Sequence, residues 1–422
     1  MAGSPVKNGS ENKTGKKQVK GPDHPNSVGW TRARRALLVE PGDFFVLEAG
    51  GEVSPVEVEY ETYGELNSAR DNVILLFHAL SGDAHAAGWD AEAEATGRTW
   101  RIRKPGWWDE MIGPGLPLDT SRYHIICANV LGSCYGTTGP DDPNPATGRP
   151  YGLRFPVVTI GDWVRLQARL LDHLGIEKVY AAVGGSLGGQ QVLEFALAYP
   201  DRVGNALVLA ASARLSTQGL AFNAVARHTI LNDPNFNSGD YYGSTPPDQG
   251  LTAARMLGHI TYLSEAAMHE KFGRRLQNKS EPDFNFGIEF EVESYLAYQG
   301  RSFVERFDAN AYLYITRAMD YYDAAKAWGG GDLTASCGRI KSRVMIVSFS
   351  SDWLYTPGQC RQLALALCRA GKPVTYALVP SDYGHDAFLV ETDKVGRLMR
   401  SFLSAKRKCG GNKEEVGKNS GC

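Results

Sequence analysis

A serine framed by glycines, Gly184-Gly185-Ser186-Leu187-Gly188, is the stretch of this 422-residue chain whose spacing most directly implies chemistry. A strand-to-helix turn this tight brings backbone against backbone, and small neighbours let the Ser186 hydroxyl stand clear of it. The flanks fit. Lys178 to Val183 is short, apolar and β-prone, and Gln190 to Tyr199 alternates at helical spacing until Pro200. Strand, glycine-framed serine and helix in that order spell a nucleophile elbow.

A serine hydroxyl is a weak nucleophile at neutral pH, so it needs a base, and the base needs an acid to hold its tautomer. In α/β hydrolases the chain order is Ser, then Asp or Glu, then His. The histidines after Ser186 are His228, His259, His269 and His385. The first three fall in a helical insertion. His385 follows the last strand-like run, in Pro380-Ser381-Asp382-Tyr383-Gly384-His385-Asp386, and is the expected base. Asp352, just beyond the run Val344 to Phe349, is the expected acid. Asp382 competes, but three residues from His385 on one loop it is poorly placed to approach the imidazole in line. The oxyanion hole needs two backbone N–H groups. Leu187 supplies one, and Leu80 or its neighbour, in His78-Ala79-Leu80-Ser81-Gly82-Asp83, is the expected source of the other. No metal site is expected: His78 and His85 lack an accompanying carboxylate or cysteine cluster and read as structural.

These residues need a sheet to carry them. Strand-like runs at 73–77, 123–129, 178–183, 206–209, 343–349 and 374–379 alternate with helical ones, the pattern of an α/β fold with a mostly parallel sheet. A crossover helix is expected over 162–174, closed by Gly175. Across 213–337 the strand alternation stops and helix-like stretches rich in Tyr, Phe, Arg and His take over, an inserted helical cap over the carboxyl edge of the sheet. The core is then 29–212 with 338–405. Residues 1–28 and 406–422 are polar, charged and rich in glycine, and are expected to be disordered tails.

With 43% hydrophobic and 22% charged residues the chain can bury a large core, and a net charge of -2 gives no electrostatic reason for a nucleic-acid or membrane partner. Seven cysteines, at 127, 134, 337, 360, 368, 409 and 422, show no paired C-x-x-C spacing, which argues against a zinc ribbon or a complete disulfide framework. No apolar run is long enough to span a bilayer and none resembles a secretory signal, so the expected setting is the cytoplasm.

Several separate segments resemble the homoserine O-acyltransferase family of α/β-hydrolase-fold enzymes: His78 to His85, Asn129 to Pro140, Tyr151 to Pro156, Ala254 to Tyr262, Phe307 to Tyr314 and Gly384 to Leu389. The resemblance covers roughly 35–404. It implies that Ser186 takes an acyl group from a CoA thioester and passes it to the side-chain hydroxyl of a small amino acid. Arg255 would bind the acceptor's carboxylate and Asp386 its ammonium, roles suited to a guanidinium and a carboxylate. The leading expectation is acetyl-CoA as co-substrate and L-homoserine as acceptor, in methionine biosynthesis. Succinyl-CoA, L-serine, or water in a serine esterase are the alternatives. No bound cofactor is implied, and the aromatic-rich cap suggests a homodimer. Ser133, Thr137 and Ala311 stand where Gly, Ser and Ser are common in the family.

Overall fold

Apolar runs without polar alternation make strands covered on both faces, and such runs build the middle of the sheet. The computed structural model describes residues 20–405. Its main sheet has eight strands: β1 (Arg34–Val39), β2 (Val56–Tyr63), β3 (Val73–Phe77), β4 (His124–Ala128), β5 (Val179–Gly185), β6 (Val203–Leu209), β7 (Arg343–Phe349) and β8 (Val374–Val379). Their spatial order is β8-β7-β6-β5-β3-β4-β2-β1. Strands β3 to β8 pair in parallel, while β2 runs antiparallel to both β4 and β1. Side chains alternate between faces. Val73, Leu75 and Phe77 enter one hydrophobic cluster, and Ile74 and Leu76 the other. Each such side chain removed fully from water contributes about 1.5–3 kcal/mol.

Strands β1 and β2 were not among the six strand-like runs. In β2, Val-Glu-Val-Glu-Tyr-Glu-Thr-Tyr has the period of a strand, yet its glutamates read as solvent-facing. Glu59 and Glu61 are in fact buried, because Arg98 grips both oxygens of Glu59 at 2.5 and 2.8 Å and His85 Nδ1 lies 3.1 Å from Glu61.

Helix α1 (Ile160–His173) starts at a Thr159 cap boxed with Asp162 and ends before Gly175, whose φ is +67°. Helix α2 (Leu187–Ala198) follows the glycine-framed serine. Between β6 and β7 no strand joins the main sheet. That span holds α3 (Thr217–Leu231), α4 (Asp248–Tyr262), α5 (Glu265–Phe272), α6 (Glu291–Val304), α7 (Ala309–Tyr321), α8 (Ala324–Gly329) and α9 (Leu333–Cys337). Beyond β7 come α10 (Pro357–Arg369), α11 (Ala387–Val390) and α12 (Thr392–Ser404). No helix among the described residues is long and apolar enough to cross a membrane.

The expected tails at 1–28 and 406–422 lie outside the described residues except for 20–28, where the expectation needs correction. Trp89 donates to the Lys20 carbonyl at 3.1 Å, Asn26 to that of Pro114 at 2.7 Å, and Val28 packs on the core. This polar stretch is held by hydrogen bonds to the core, which composition does not reveal.

Candidate active site

Strand β5 ends at Gly185, and Ser186 then adopts φ +57° and ψ -126° before α2 begins. That is a strained conformation for a residue with a Cβ. The surroundings hold it. The Ser186 N–H donates to the Leu209 carbonyl at 2.9 Å. A Cβ on Gly184 would lie 2.4 Å from the Gly188 carbonyl oxygen, and one on Gly188 would lie 2.2 Å from that of Phe77. Strand β5, helix α2 and the end of β3 therefore meet only where side chains are missing.

The structure brings Ser186, His385 and Asp352 together. Ser186 Oγ lies 2.8 Å from His385 Nε2, and His385 Nδ1 lies 2.8 Å from Asp352 Oδ2. With Asp352 ionised, the assigned tautomer has Nδ1–H donating to the carboxylate and the serine hydroxyl donating to Nε2. The other carboxylate oxygen, Oδ1, accepts from the N–H groups of Leu354 at 3.0 Å and Tyr355 at 2.9 Å, so the acid is fixed from behind. The Tyr355 ring stacks on the imidazole at 5.3 Å. Asp382 is exposed and contributes only its backbone carbonyl, which accepts from Ser264 Oγ. His228, His259 and His269 lie on α3, α4 and α5 and none bonds the serine hydroxyl, with His259 buried and its Nδ1 3.2 Å from the Tyr295 hydroxyl.

Burial alone would lower the His385 pKa, but the Asp352 charge and hydrogen bond outweigh it, Asp386 adds to them, and the net direction is upward from 6.5. A base must be neutral to take the serine proton. Acylation of Ser186 by a simple ester should therefore fall away on the acid side through a midpoint above 6.5, and Asp386→Asn should move that midpoint downward. A pH profile of the acylation burst checks both; a midpoint at or below the ordinary histidine value contradicts the geometry.

Leu80 and Ser186 line one narrow cavity beneath the cap, with Leu215, Phe222, Leu257 and Tyr312. Among the described residues no protein group accepts from the N–H of Leu80 or Leu187. Both donors are free for a developing oxyanion. The loop bearing Leu80 turns sharply, with Gly82 N–H on the Ala79 carbonyl at 2.9 Å, and is anchored at Asp83. Arg101 donates to Asp83 at 2.5 Å and to Asp90 at 2.8 Å. Burial acts to raise the Asp83 pKa, but Arg101 overrides it and holds the carboxyl below its ordinary range. His78 is buried with Nδ1 2.8 Å from the Ala79 carbonyl. No group of three metal-ligating side chains occurs among the described residues.

Arg255, on α4, and Asp386, beside the base, are opposite charges near the triad that do not pair with each other or with any other charged side chain described. Burial drives the Asp386 pKa up and the Arg255 pKa down. The Arg255 guanidinium lies 5.6 Å over the Tyr262 ring and 4.5 Å over that of Phe303. Tyr262 and Arg306, both near this pocket, were not singled out from the sequence. Ser133, Thr137 and Ala311 do not line the cavity: Thr137 Oγ1 accepts from Glu59 N–H at 3.0 Å, and Ala311 N–H caps onto Asp308 at 2.8 Å.

The cap is tied to both triad loops. A Cβ on Gly384, at φ +64°, would lie 2.7 Å from the backbone at Tyr262 to Ser264, so the loop bearing His385 runs directly under the junction of α4 and α5. Trp353, next to Asp352, donates to the Leu263 carbonyl at 3.0 Å.

An elbow serine at the carboxyl end of a parallel sheet, with its histidine and aspartate on later strand-end loops, defines an α/β-hydrolase-fold enzyme, and a family model described as the alpha/beta hydrolase fold matches residues 72–392. A homoserine O-acetyltransferase of Methanohalobium evestigatum is 52% identical over 85% of this chain and 71% of its own. A homoserine O-succinyltransferase of Acidithiobacillus ferrooxidans is 48% identical over 90% and 96%. Among solved structures, homoserine O-acetyltransferase from Bacillus anthracis superposes with a TM-score of 0.80 at 27% identity, covering 89% of this chain and 98% of that one. Esterase E22 gives 0.78 at 30%, covering 88% and 100%. The chain belongs to the homoserine O-acyltransferase family.

Proposed function

We propose that this enzyme moves an acetyl group from acetyl-CoA to the side-chain hydroxyl of L-homoserine through an acyl-enzyme on Ser186, a step of methionine biosynthesis. The observation that carries the acceptor reading is the unpaired Arg255 and Asp386. Two half-buried charges of opposite sign, neither within ion-pair distance of a charged partner among the described residues, are costly unless a ligand completes them, and a free amino acid brings a carboxylate and an ammonium. An ester substrate without charges has no use for the pair.

In the first half-reaction His385 takes the Ser186 proton as Oγ attacks the thioester carbonyl. The tetrahedral oxyanion sits against the N–H groups of Leu80 and Leu187, and its collapse expels the CoA thiolate, which leaves with the proton from His385. In the second, the acceptor hydroxyl gives its proton to His385, attacks the acyl-serine, and Ser186 regains a proton as the ester product leaves. Support for acetyl over succinyl comes from the homoserine O-acetyltransferase of Methanohalobium evestigatum, at 52% identity, against 48% for the homoserine O-succinyltransferase of Acidithiobacillus ferrooxidans.

Arg255→Ala should weaken acceptor use by about 1.5–3 kcal/mol, the worth of a charge-assisted hydrogen bond, while sparing acylation of Ser186. Thiol release from acetyl-CoA and succinyl-CoA, each with homoserine and serine, tests donor and acceptor together. Unchanged transfer in Arg255→Ala, or an acyl-enzyme that prefers water to every amino acid, replaces this reading with that of an esterase. The reading carries a cytoplasmic setting, where CoA thioesters are at hand. It also carries a homodimer, supported by Phe284 and Phe286 of the cap, 92% and 111% exposed; sedimentation equilibrium tests it.

A further inference from the structure

Two guanidiniums of the cap converge on one residue of the oxyanion loop. Arg306, in the turn between α6 and α7, donates through Nη1 to the Ser81 carbonyl at 3.0 Å and to the buried Tyr135 hydroxyl at 2.9 Å. Arg255 Nη1 reaches Ser81 Oγ at 3.5 Å. Both guanidiniums lie over the Phe303 ring, Arg255 at 4.5 Å and Arg306 at 5.1 Å. Neither has a carboxylate partner among the described residues. Like charges this close repel, and each lowers the other's stability in its charged form. Such an arrangement persists where the contacts it makes are useful.

The two contacts differ in kind. Ser81 directly follows Leu80, and Ala79 to Gly82 form the turn that aims the Leu80 N–H. A bond to the Ser81 carbonyl fixes a peptide plane within that turn. The long contact from Arg255 to the Ser81 hydroxyl is weak, and a ligand carboxylate would displace it. Arg306 is held on its other side by Tyr135, whose ring packs edge-on against Phe307 at 5.7 Å, so it keeps its grip with or without an acceptor.

We propose that Arg306 is a positioning residue of the oxyanion hole: it holds the loop so that the Leu80 N–H faces the tetrahedral intermediates of both half-reactions, while Arg255 handles the acceptor. This rests on the acyl-enzyme reading of Ser186 and deepens it. It makes Arg306 act on the rate of both steps and not on acceptor affinity, the opposite split from Arg255.

The test is stopped-flow acylation by p-nitrophenyl acetate, which needs neither CoA nor an amino acid, followed by transfer from the isolated acetyl-enzyme to homoserine over a range of concentrations. Arg306→Lys and Arg306→Gln, checked for native melting behaviour, should each slow both steps. The loss should be on the order of 10- to 100-fold, the effect of a misplacement near 1 Å, with the acceptor concentration for half-maximal rate within about twofold of wild type. Tyr135→Phe, which frees the other side of Arg306, should give a smaller loss of the same pattern. Acylation within about twofold of wild type in both Arg306 variants overturns the proposal, as does a loss confined to acceptor KM, which would make Arg306 an acceptor ligand. Failure of the underlying reading looks different: wild-type protein would then show no burst with the ester.

Discussion

Ser186→Ala should lower turnover by about a millionfold, the scale seen when the nucleophile of a serine triad is removed, and should abolish the acyl-enzyme altogether. The expectation follows from the geometry. Ser186 Oγ is the hydroxyl within 2.8 Å of His385 Nε2, and its backbone is held at φ +57° in a turn that leaves the residue lining the cavity. Removing the oxygen leaves the Leu80 and Leu187 N–H groups and the charges of Arg255 and Asp386 in place, so on the proposed reading binding survives while covalent transfer does not. Mass spectrometry after mixing with acetyl-CoA and no acceptor reads the result. Wild type should gain one acetyl group, mapped to the peptide containing Ser186, and the variant none. An adduct on another residue, or a variant with appreciable turnover, would sink the assignment.

Asp352→Asn is expected to cost about four orders of magnitude in kcat, the effect of losing the tautomer control that a triad aspartate exerts. Asp352 Oδ2 accepts the Nδ1 proton of His385 at 2.8 Å, and Oδ1 is committed to two backbone donors. An asparagine kept in that place by its carbonyl oxygen must turn its amide toward Nδ1. The imidazole then carries its proton on Nε2, facing the serine, and cannot act as base. It also loses the charge that raises the His385 pKa. Asp382→Asn, at an exposed side chain away from the imidazole, should stay within about threefold of wild type, as surface changes generally do. The effects of Ser186→Ala and Asp352→Asn should not add, because the three residues act as one unit. A severe loss from Asp382→Asn together with a mild one from Asp352→Asn would reverse the choice of acid.

The parts of the site written in local sequence were the parts open to reading. Gly184 to Gly188 encodes its own turn, because every side chain that would collide is missing there. His385 and Asp352 follow short, β-prone apolar runs bounded by turn residues, which read as strands. The central strands were legible for the same reason. What escaped depends on partners far along the chain. Glu59 and Glu61 look solvent-facing until Arg98 and His85 are placed beside them. Residues 20–28 look free until Trp89 and Pro114 are seen to hold them. Arg306 has no local mark of function, since Ser81, which it grips, lies 225 positions away. Tyr262 sits inside a matched segment, yet only the fold puts its ring near both Arg255 and His385.

The seam where Gly384 slides beneath the junction of α4 and α5 bears on how members of such a family exchange parts. Trp353, next to the acid, and the backbone of Asp382, three residues before the base, are bonded to Leu263 and Ser264 of the cap respectively. A recombinant that joins this core to another enzyme's cap therefore inherits foreign bracing for its acid and base along with a foreign pocket. Crossovers that keep 262–264 together with 351–353 and 382–385 preserve the seam as a unit. Those that split it should yield folded proteins with a slackened triad, whatever substrate the new pocket admits.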